Sequence, residues 1–333
     1  MKVSILVPVY NVGKYIERCA ISLFEQTYDD LEYVFVDDCT PDNSFYILEE
    51  VLKKYPNRRK QVKIVHHENN SGVAVARNTA LDNATGYFIV WVDPDDYVEK
   101  CLVEQMVTEA SNKNADVVVI GFRLFNNYKE WLQLPPQLET PHDYCEMMLL
   151  RKVDIGVCGK MALSSLYEKH ALRCPVGVIS GEDAYLSIRL CYYAQKIVYV
   201  QRALYHYDCT RSDSITSYIK GFSEEKNRQL WNVWNLLYRF FINKEQRFLK
   251  ALQVWEFKLA LGTIIECTRE NASRQIVECM YKHHIDCLPI TLQNHVSFLK
   301  RIPLYIRNYK ILHYYFKFMA WMKHDVLKKN KRG

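Results

Sequence analysis

Apolar runs too short to be helices alternate with segments of helical spacing through the first 122 residues, and few folds accommodate that rhythm. VSILVPVY (3–10), LEYVFVDD (31–38), VKIVHH (62–67), Tyr87–Val92 and ADVVVIGF (115–122) read as strands. Between them the spacing predicts helices over Val12–Gln26, from Asp42 or Asn43 to about Tyr55, over Gly72–Ala84 and over Glu99–Asn112. In the first of these Ile16, Cys19, Ala20, Leu23 and Phe24 share one face. A βαβα order closes through crossover helices, so the expected class is α/β: a Rossmann-like, mainly parallel, doubly wound sheet. Ligands of such sheets gather in the crevice beyond the carboxyl ends of the strands.

Unusual polar residues fall at those ends. The first strand runs into Tyr10-Asn11, the second into Asp37-Asp38, and the fourth into WVDPDDY, which packs Asp93, Asp95 and Asp96 into four positions. Like charges so close repel and gain little unless a cation sits among them. Hard oxygen ligands suit Mg2+ or Mn2+, and such ions suit a substrate bearing phosphates. An isolated DxDD would read as a solvated acidic turn bent by Pro94. Here base-, ribose- and metal-suited side chains sit at three strand ends, which points to a nucleotide diphosphate. There is no GxGxxG and no GxxxxGK[ST], which argues against dinucleotide oxidoreductases and P-loop kinases and leaves the phosphates to a metal.

Hydrophobic residues make up 49% and charged residues 25%, as in a folded globular protein. The eleven cysteines are scattered without a CxxC pair or zinc spacing, and Lys2 leads directly into a strand, so a reduced, cytoplasmic compartment is expected. No segment reaches the roughly 18 apolar residues needed to span a bilayer. The net charge of +6 divides unevenly: from Lys300 onward ten Lys/Arg face only Asp325, so the tail holds +9 and the preceding residues −3. The main body therefore lacks the electrostatic motive for nucleic-acid binding. Residues 123–215 are less regular, with bends at Leu134-Pro135-Pro136 and around Gly156, Gly177 and Gly181. After Ser217 the pattern turns helical, with breaks near Asn243, Pro289 and Pro303, which places a boundary near 215 and predicts domains over 1–215 and 216–333.

Four blocks together resemble a known family. VSILVPVYNVGKYIERCAISLFEQTYDDLEYVFVDDCTPDNS, NNSGVAVARNTAL, GYFIVWVDPDDYV and ISGEDAYL, in this order, are similar to the family-two glycosyltransferases with a GT-A fold. The resemblance covers roughly residues 1–215 and implies an inverting, metal-dependent enzyme of the hexosyltransferase class using a nucleotide-diphosphate sugar, with a UDP-sugar as the first expectation. By the same resemblance Pro8 and Tyr10 pack the base, Asp38 accepts from the uracil imide, Asp37 orients the loop, and Arg77 and Asn78 lie near the pyrophosphate. Asp95 is the expected direct metal ligand, Asp93 faces the ribose or a metal-bound water, and Asp96 stands behind them. Asp183 matches the general base and Glu182 its positioning neighbour, at a helix start where acidic residues are also favourable with the dipole.

YHYDCTRSDSIT resembles the block that closes over the nucleotide, with Arg211 or His206 toward the diphosphate. Asp208 stands where the family often has Arg. Lys160 in GVCGKMAL matches a Lys that often precedes the acceptor region. The implied role is transfer to a glycan or lipid-linked acceptor in cell-surface polysaccharide assembly; the competing readings are a sugar nucleotidyltransferase and a catalytically silent nucleotide-sugar-binding scaffold. Ile302–Trp321 mixes aromatic and aliphatic residues with Arg307, Lys310 and Lys317. That pattern fits either a helix on an anionic membrane, at the inner face of the cell membrane, or a helix packed on the preceding bundle.

Overall fold

In the computed structural model residues 1–210, 223–295 and 297–318 are described. The chain separates into two units, Met1–Ser212 and Asp213–Gly333. The first unit carries the strands β1 (Val3–Val9), β2 (Leu31–Asp37), β3 (Val62–His66), β4 (Phe88–Trp91), β5 (Tyr97–Val98), β6 (Val117–Phe125), β7 (Glu130–Gln133), β8 (Lys160–Leu163) and β9 (Ile197–Asp208). Its helices are α1 (Ile16–Phe24), α2 (Ser44–Lys53), α3 (Val73–Asp82), α4 (Leu102–Lys113), α5 (Pro141–Leu149), α6 (Ser164–Lys169) and α7 (Glu182–Tyr193).

Every residue of β1 is buried, because a parallel strand covered by helices on both faces has no solvent side. The strands join one sheet in the order β3-β2-β1-β4-β8-β6-β9-β5, with β7 on the edge of β6. β3, β2, β1 and β4 are parallel, as the alternation predicts. Farther on the sheet is mixed, since β8 inserts antiparallel between β4 and β6 and keeps the fifth predicted strand away from the fourth. Periodicity identifies apolar runs but not their neighbours, and a four-residue KMAL run carries little signal of its own. The α2 start shows the expected local chemistry in a shifted form. Asn43 is the N-cap but makes no side-chain cap bond; the Asp42 carboxylate instead accepts from the Ser44 N–H at 3.1 Å and the Gly13 N–H at 2.7 Å.

Register brings the carboxyl ends together. Val9 pairs with Asp37 and Leu6 with Trp91, so Tyr10, Asp38 and Asp93 leave the sheet along one edge. β9 then passes in parallel along β6 and pairs antiparallel with β5, Tyr97 opposite His206, which wraps it around the turn after β4.

The second unit is helical: α8 (Glu224–Phe241), α9 (Gln246–Glu270), α10 (Arg274–Met280) and α11 (Phe298–Tyr305), with a further helical stretch at 309–318. Trp234 donates its indole N–H to the Leu252 carbonyl at 3.1 Å, and Phe241 and Phe248 pack ring to ring at 4.9 Å. In 309–318 Leu312 is fully buried, Tyr309 donates its hydroxyl to the Cys267 carbonyl at 3.3 Å, and His313 Nδ1 lies 2.7 Å from the Thr268 carbonyl. One side of this helix therefore packs on α9. Ile311, Tyr314 and Phe318, together with Lys310 and Lys317, are exposed on the other. Met319 to Gly333, including Trp321, lie outside the described residues.

Candidate active site

Asp93-Pro94-Asp95-Asp96 forms a β-turn, closed by the Asp96 N–H donating to the Asp93 carbonyl at 3.1 Å with Pro94 in the position that suits its fixed φ. Three elements hold this turn. From β9, the Tyr205 hydroxyl donates to Asp96 Oδ2 at 2.9 Å and accepts from the Asp93 N–H at 3.1 Å. From α1, Arg18 donates to the Asp95 carbonyl at 3.0 Å and to Asp208 at 3.3 Å, its guanidinium 4.5 Å from the centre of the Tyr97 ring, which itself stacks on His206 at 4.2 Å. From α3, Arg77 donates to Asp93 Oδ1 at 2.8 Å. Asp96 is 1% exposed, and burial followed by the charges of Asp95 and Asp93 raises its pKa well above the usual carboxylate range. It stands behind the other two carboxylates, accepting from the Tyr205 hydroxyl and, at 3.3 Å, from the Asp208 N–H.

Arg77 is the centre of the site. Only 4% exposed, it spans from Asp93 to Glu182, donating Nε–H to Glu182 Oε1 at 3.3 Å, with its guanidinium 5.5 Å from the centre of the Trp91 ring. Its Nη1 is buried without a hydrogen-bond partner. The fixed cation thus ties the acidic turn to the start of α7, where Gly181 adopts φ +85° as N-cap and leads into Glu182 and Asp183. Glu182 is buried; that burial, reinforced by Asp183 and opposed by Arg77, raises its pKa to about 7. Asp183, half-buried, is raised for the same first reason, with Arg77 lowering and Asp93 raising it. Two carboxyls at a helix start, both with raised proton affinity beside a cation, can exchange a proton with a hydroxyl.

At the end of β1, where the sequence resemblance expects the base, Pro8 is buried within the strand and Tyr10 just beyond it is 46% exposed. Asn11 and Cys39 take left-handed backbone, φ +53° and +56°. Asp37 accepts from the Thr40 N–H at 2.8 Å and lies 2.8 Å from His66 Nδ1. Asp38 is buried and anchors the loop into α3, accepting from the Ser71 and Gly72 N–H groups, each at 2.8 Å, with His67 Nδ1 at 2.7 Å. Its Oδ2 takes a single donor, Gly72. Asn78 exchanges bonds with the backbone of Cys174, donating to its carbonyl and accepting from its N–H, both at 2.9 Å.

Tyr10, Asp38, Arg77, Asp93, Asp95, Glu182 and Asp183 are all carried by segments leaving the carboxyl edge of the sheet or facing it. His206 is turned instead to Glu99, 2.8 Å away. Arg211 lies outside the described residues. Arg18 and His67 carry no motif signal and emerge only from the packing; Tyr205 had a place in the closing block, but its role as a brace of the acidic turn did not.

Among the described residues no group of three or more His, Cys, Asp or Glu side chains is arranged to hold a metal by itself. The donor set fits a different kind of ion. Mg2+ and its relatives are commonly held by one or two carboxylates with the substrate's phosphates and water completing the shell. Asp93 and Asp95 supply that number, on a turn whose third carboxyl, Asp96, has its pKa raised first by burial and then by the charges of these two.

The sequence profile described as Glycosyl transferase family 2 matches residues 4–173. EpsH of Bacillus subtilis, described as a putative glycosyltransferase, is 31% identical over 302 residues, which cover 89% of this chain and 86% of EpsH. The chain belongs to glycosyl transferase family 2. Glycosyltransferase GlyA of Streptococcus pneumoniae is 30% identical over 62% of this family-2 chain, which spans only 30% of GlyA's length. The poly(ribitol-phosphate) β-N-acetylglucosaminyltransferase TarS of Staphylococcus aureus is 30% identical over 63% of the chain and 36% of its own length. Among solved structures, S. aureus TarS 1-349 with UDP-GlcNAc superposes with a TM-score of 0.70 at 20% identity over 95% of this chain and 92% of that one. Mannosyltransferase PcManGT of Pyrobaculum calidifontis, with GDP-Man and Mn2+, gives 0.55 at 16% over 98% and 86%. At these identities the superpositions speak for the fold, GT-A followed by helices.

Proposed function

We propose that this family-2 chain transfers a hexosyl group, with inversion, from a UDP-sugar to a hydroxyl of a glycan or lipid-linked acceptor in cell-surface polysaccharide assembly. The observation that carries the reading is the Asp93–Arg77–Glu182 bridge, which ties the acidic turn to the neighbour of the candidate base at the ligand edge of the sheet. In this reading Tyr10 stacks on the base, Pro8 shapes the strand end beneath it, and Asp38 forms the base-side wall with one lone pair of Oδ2 free for the imide. Asp95 and Asp93 hold Mn2+ or Mg2+ with the diphosphate. When bound, the ion would neutralise charge on the departing diphosphate.

Asp183 takes the proton from the acceptor hydroxyl while that oxygen attacks in line, opposite the leaving group. Glu182, fixed by Arg77, keeps Asp183 at the helix start. Arg77 contributes through these carboxylates; a diphosphate role for Arg211 rests on the motif alone, since that residue lies outside the described residues. The family runs against a sugar nucleotidyltransferase, and the carboxyls of Glu182 and Asp183 beside Arg77 weigh against a silent scaffold. For acceptor class, TarS carries poly(ribitol-phosphate) in its name and supports a cell-surface polymer.

We further place the protein in the cytoplasm, at the inner face of the membrane. Among the described residues no helix is long and apolar enough to cross a bilayer. Ile311 and Tyr314, 54% and 69% exposed, lie beside Lys310 and Lys317 on one helical face, a pattern suited to an anionic surface. The deciding experiment is a donor screen with Mn2+ across UDP- and GDP-sugars, reading nucleotide diphosphate release. Release from a UDP-sugar that vanishes on chelation is expected; no release from any nucleotide sugar refutes the function.

A further inference from the structure

Lys160 opens β8 as a buried cation. Its ammonium donates to Asp154 Oδ2 at 3.0 Å and to the Gly156 carbonyl at 2.7 Å. The same carbonyl accepts from Ser187 Oγ at 2.9 Å. Ser187 lies one turn after Asp183 on the same face of α7. Gly156 is therefore clamped between a strand and the helix that carries the candidate base.

A side chain at Gly156 would press on the Asp183 carboxylate. A Cβ at Gly156 would stand 3.1 Å from Asp183 Oδ2, with the Asp154 carboxylate oxygens 3.7 and 3.8 Å away on its other side. The shortest of these distances is to the carboxylate that the proposed function makes the base. We propose that Lys160 is a positioning residue for Asp183: it holds the Gly156 carbonyl against Ser187 and the Asp154 charge to itself, so that Gly156 forms the close wall on which the Asp183 carboxylate is seated. This inference rests on the reading of Asp183 as the base.

The arrangement has an electrostatic consequence. Asp183 is faced by Glu182 beside it, Arg77 from α3, Asp93 from the turn after β4, Arg151 and Asp154 from the segment after α5, and Cys174 before α7. Among the acids on this list Asp154 is paired by Lys160. Replacing Lys160 by an apolar side chain releases the Asp154 charge toward Asp183 and favours the protonated base.

The test has two arms. In the first, carboxyl-carbon NMR of the unliganded protein follows Asp183, identified by the signal lost in Asp183→Asn. Lys160→Met should raise its titration midpoint by about one pH unit, and adding Asp154→Asn should return it. In the second, UDP-N-acetylglucosamine hydrolysis with Mn2+ is compared across variants. Gly156→Ala needs no unusual backbone and should lower kcat about tenfold to a hundredfold, with donor KM and melting temperature near wild type. Wild-type kcat in Gly156→Ala beside an inactive Asp183→Asn overturns the positioning role and leaves the base intact. Full turnover in Asp183→Asn overturns the base and this inference with it. Should Lys160→Met fail to fold, the Gly156→Ala arm decides alone; an unmoved Asp183 titration in a folded Lys160→Met refutes the inference.

Discussion

Replacing Arg77 by Met keeps most of the side-chain volume and removes the charge that Asp93 and Glu182 share. Arg77 is buried and makes two ion pairs, at 2.8 and 3.3 Å. Removing one member of a buried ionic cluster typically costs about 3–5 kcal/mol, because the partners stay desolvated and uncompensated. For a unit the size of Met1–Ser212 that corresponds to a melting temperature lower by about 6–20 °C. The loss should also depend on pH. In the folded protein Glu182 holds its proton up to about pH 7, against 4.5 as its ordinary value, so folding is favoured at low pH and this contribution is lost as pH rises from 4.5 through 7. Arg77 opposes that shift, so without it the folded value moves higher and the loss continues above pH 7, at about 1.4 kcal/mol per pH unit. The gap between wild type and Arg77→Met should be level from pH 5 to 6.5 and widen beyond 7. Urea unfolding at pH 5.5, 7 and 8.5 measures it. A loss below about 1 kcal/mol, or parallel curves at all three pH values, refutes the bridge as a structural tie.

Other perturbations follow from the same geometry. Asp95→Ala should abolish the Mn2+-dependent part of UDP binding in calorimetry, and unchanged affinity would remove Asp95 from the metal. Tyr205→Phe strips a partner from both the Asp93 N–H and Asp96, so it should cost about 1–3 kcal/mol and weaken Mn2+-dependent UDP binding; a variant with wild-type melting and affinity would show that the turn stands without it. Truncation at Lys300 removes the buried Leu312 and its helix, so it should destabilise the helical unit rather than report on membranes. Ile311→Ser with Tyr314→Ser tests the surface cleanly: co-sedimentation with anionic vesicles at low salt should fall while UDP-sugar hydrolysis is spared, and full-length protein that ignores such vesicles sinks the membrane reading.

The first five predicted strands and the helices between them were legible because each is set by local period. VSILVPV is apolar but for Ser4, FIVW is apolar throughout, and Ile16, Cys19, Ala20, Leu23 and Phe24 repeat at helical spacing. The family was legible because its motif residues lie within short contiguous blocks, and the GT-A fold followed from it. Sequence spacing alone could not place β8 between β4 and β6, since pairing partners that lie roughly 40 to 75 residues apart are chosen by which edge remains open after the crossovers close. Tertiary packing also turned Arg77 from a helix-face charge into a buried bridge, because Asp93 and Glu182 converge on it from segments 16 and 105 residues away. The same holds for Arg18 at the Asp95 carbonyl and for Lys160 at Asp154 and the Gly156 carbonyl. Type and periodicity of residues are local and survive in the sequence; which charges share a desolvated space is a property of the closed sheet, and burial there is what sets their pairing and their proton affinity.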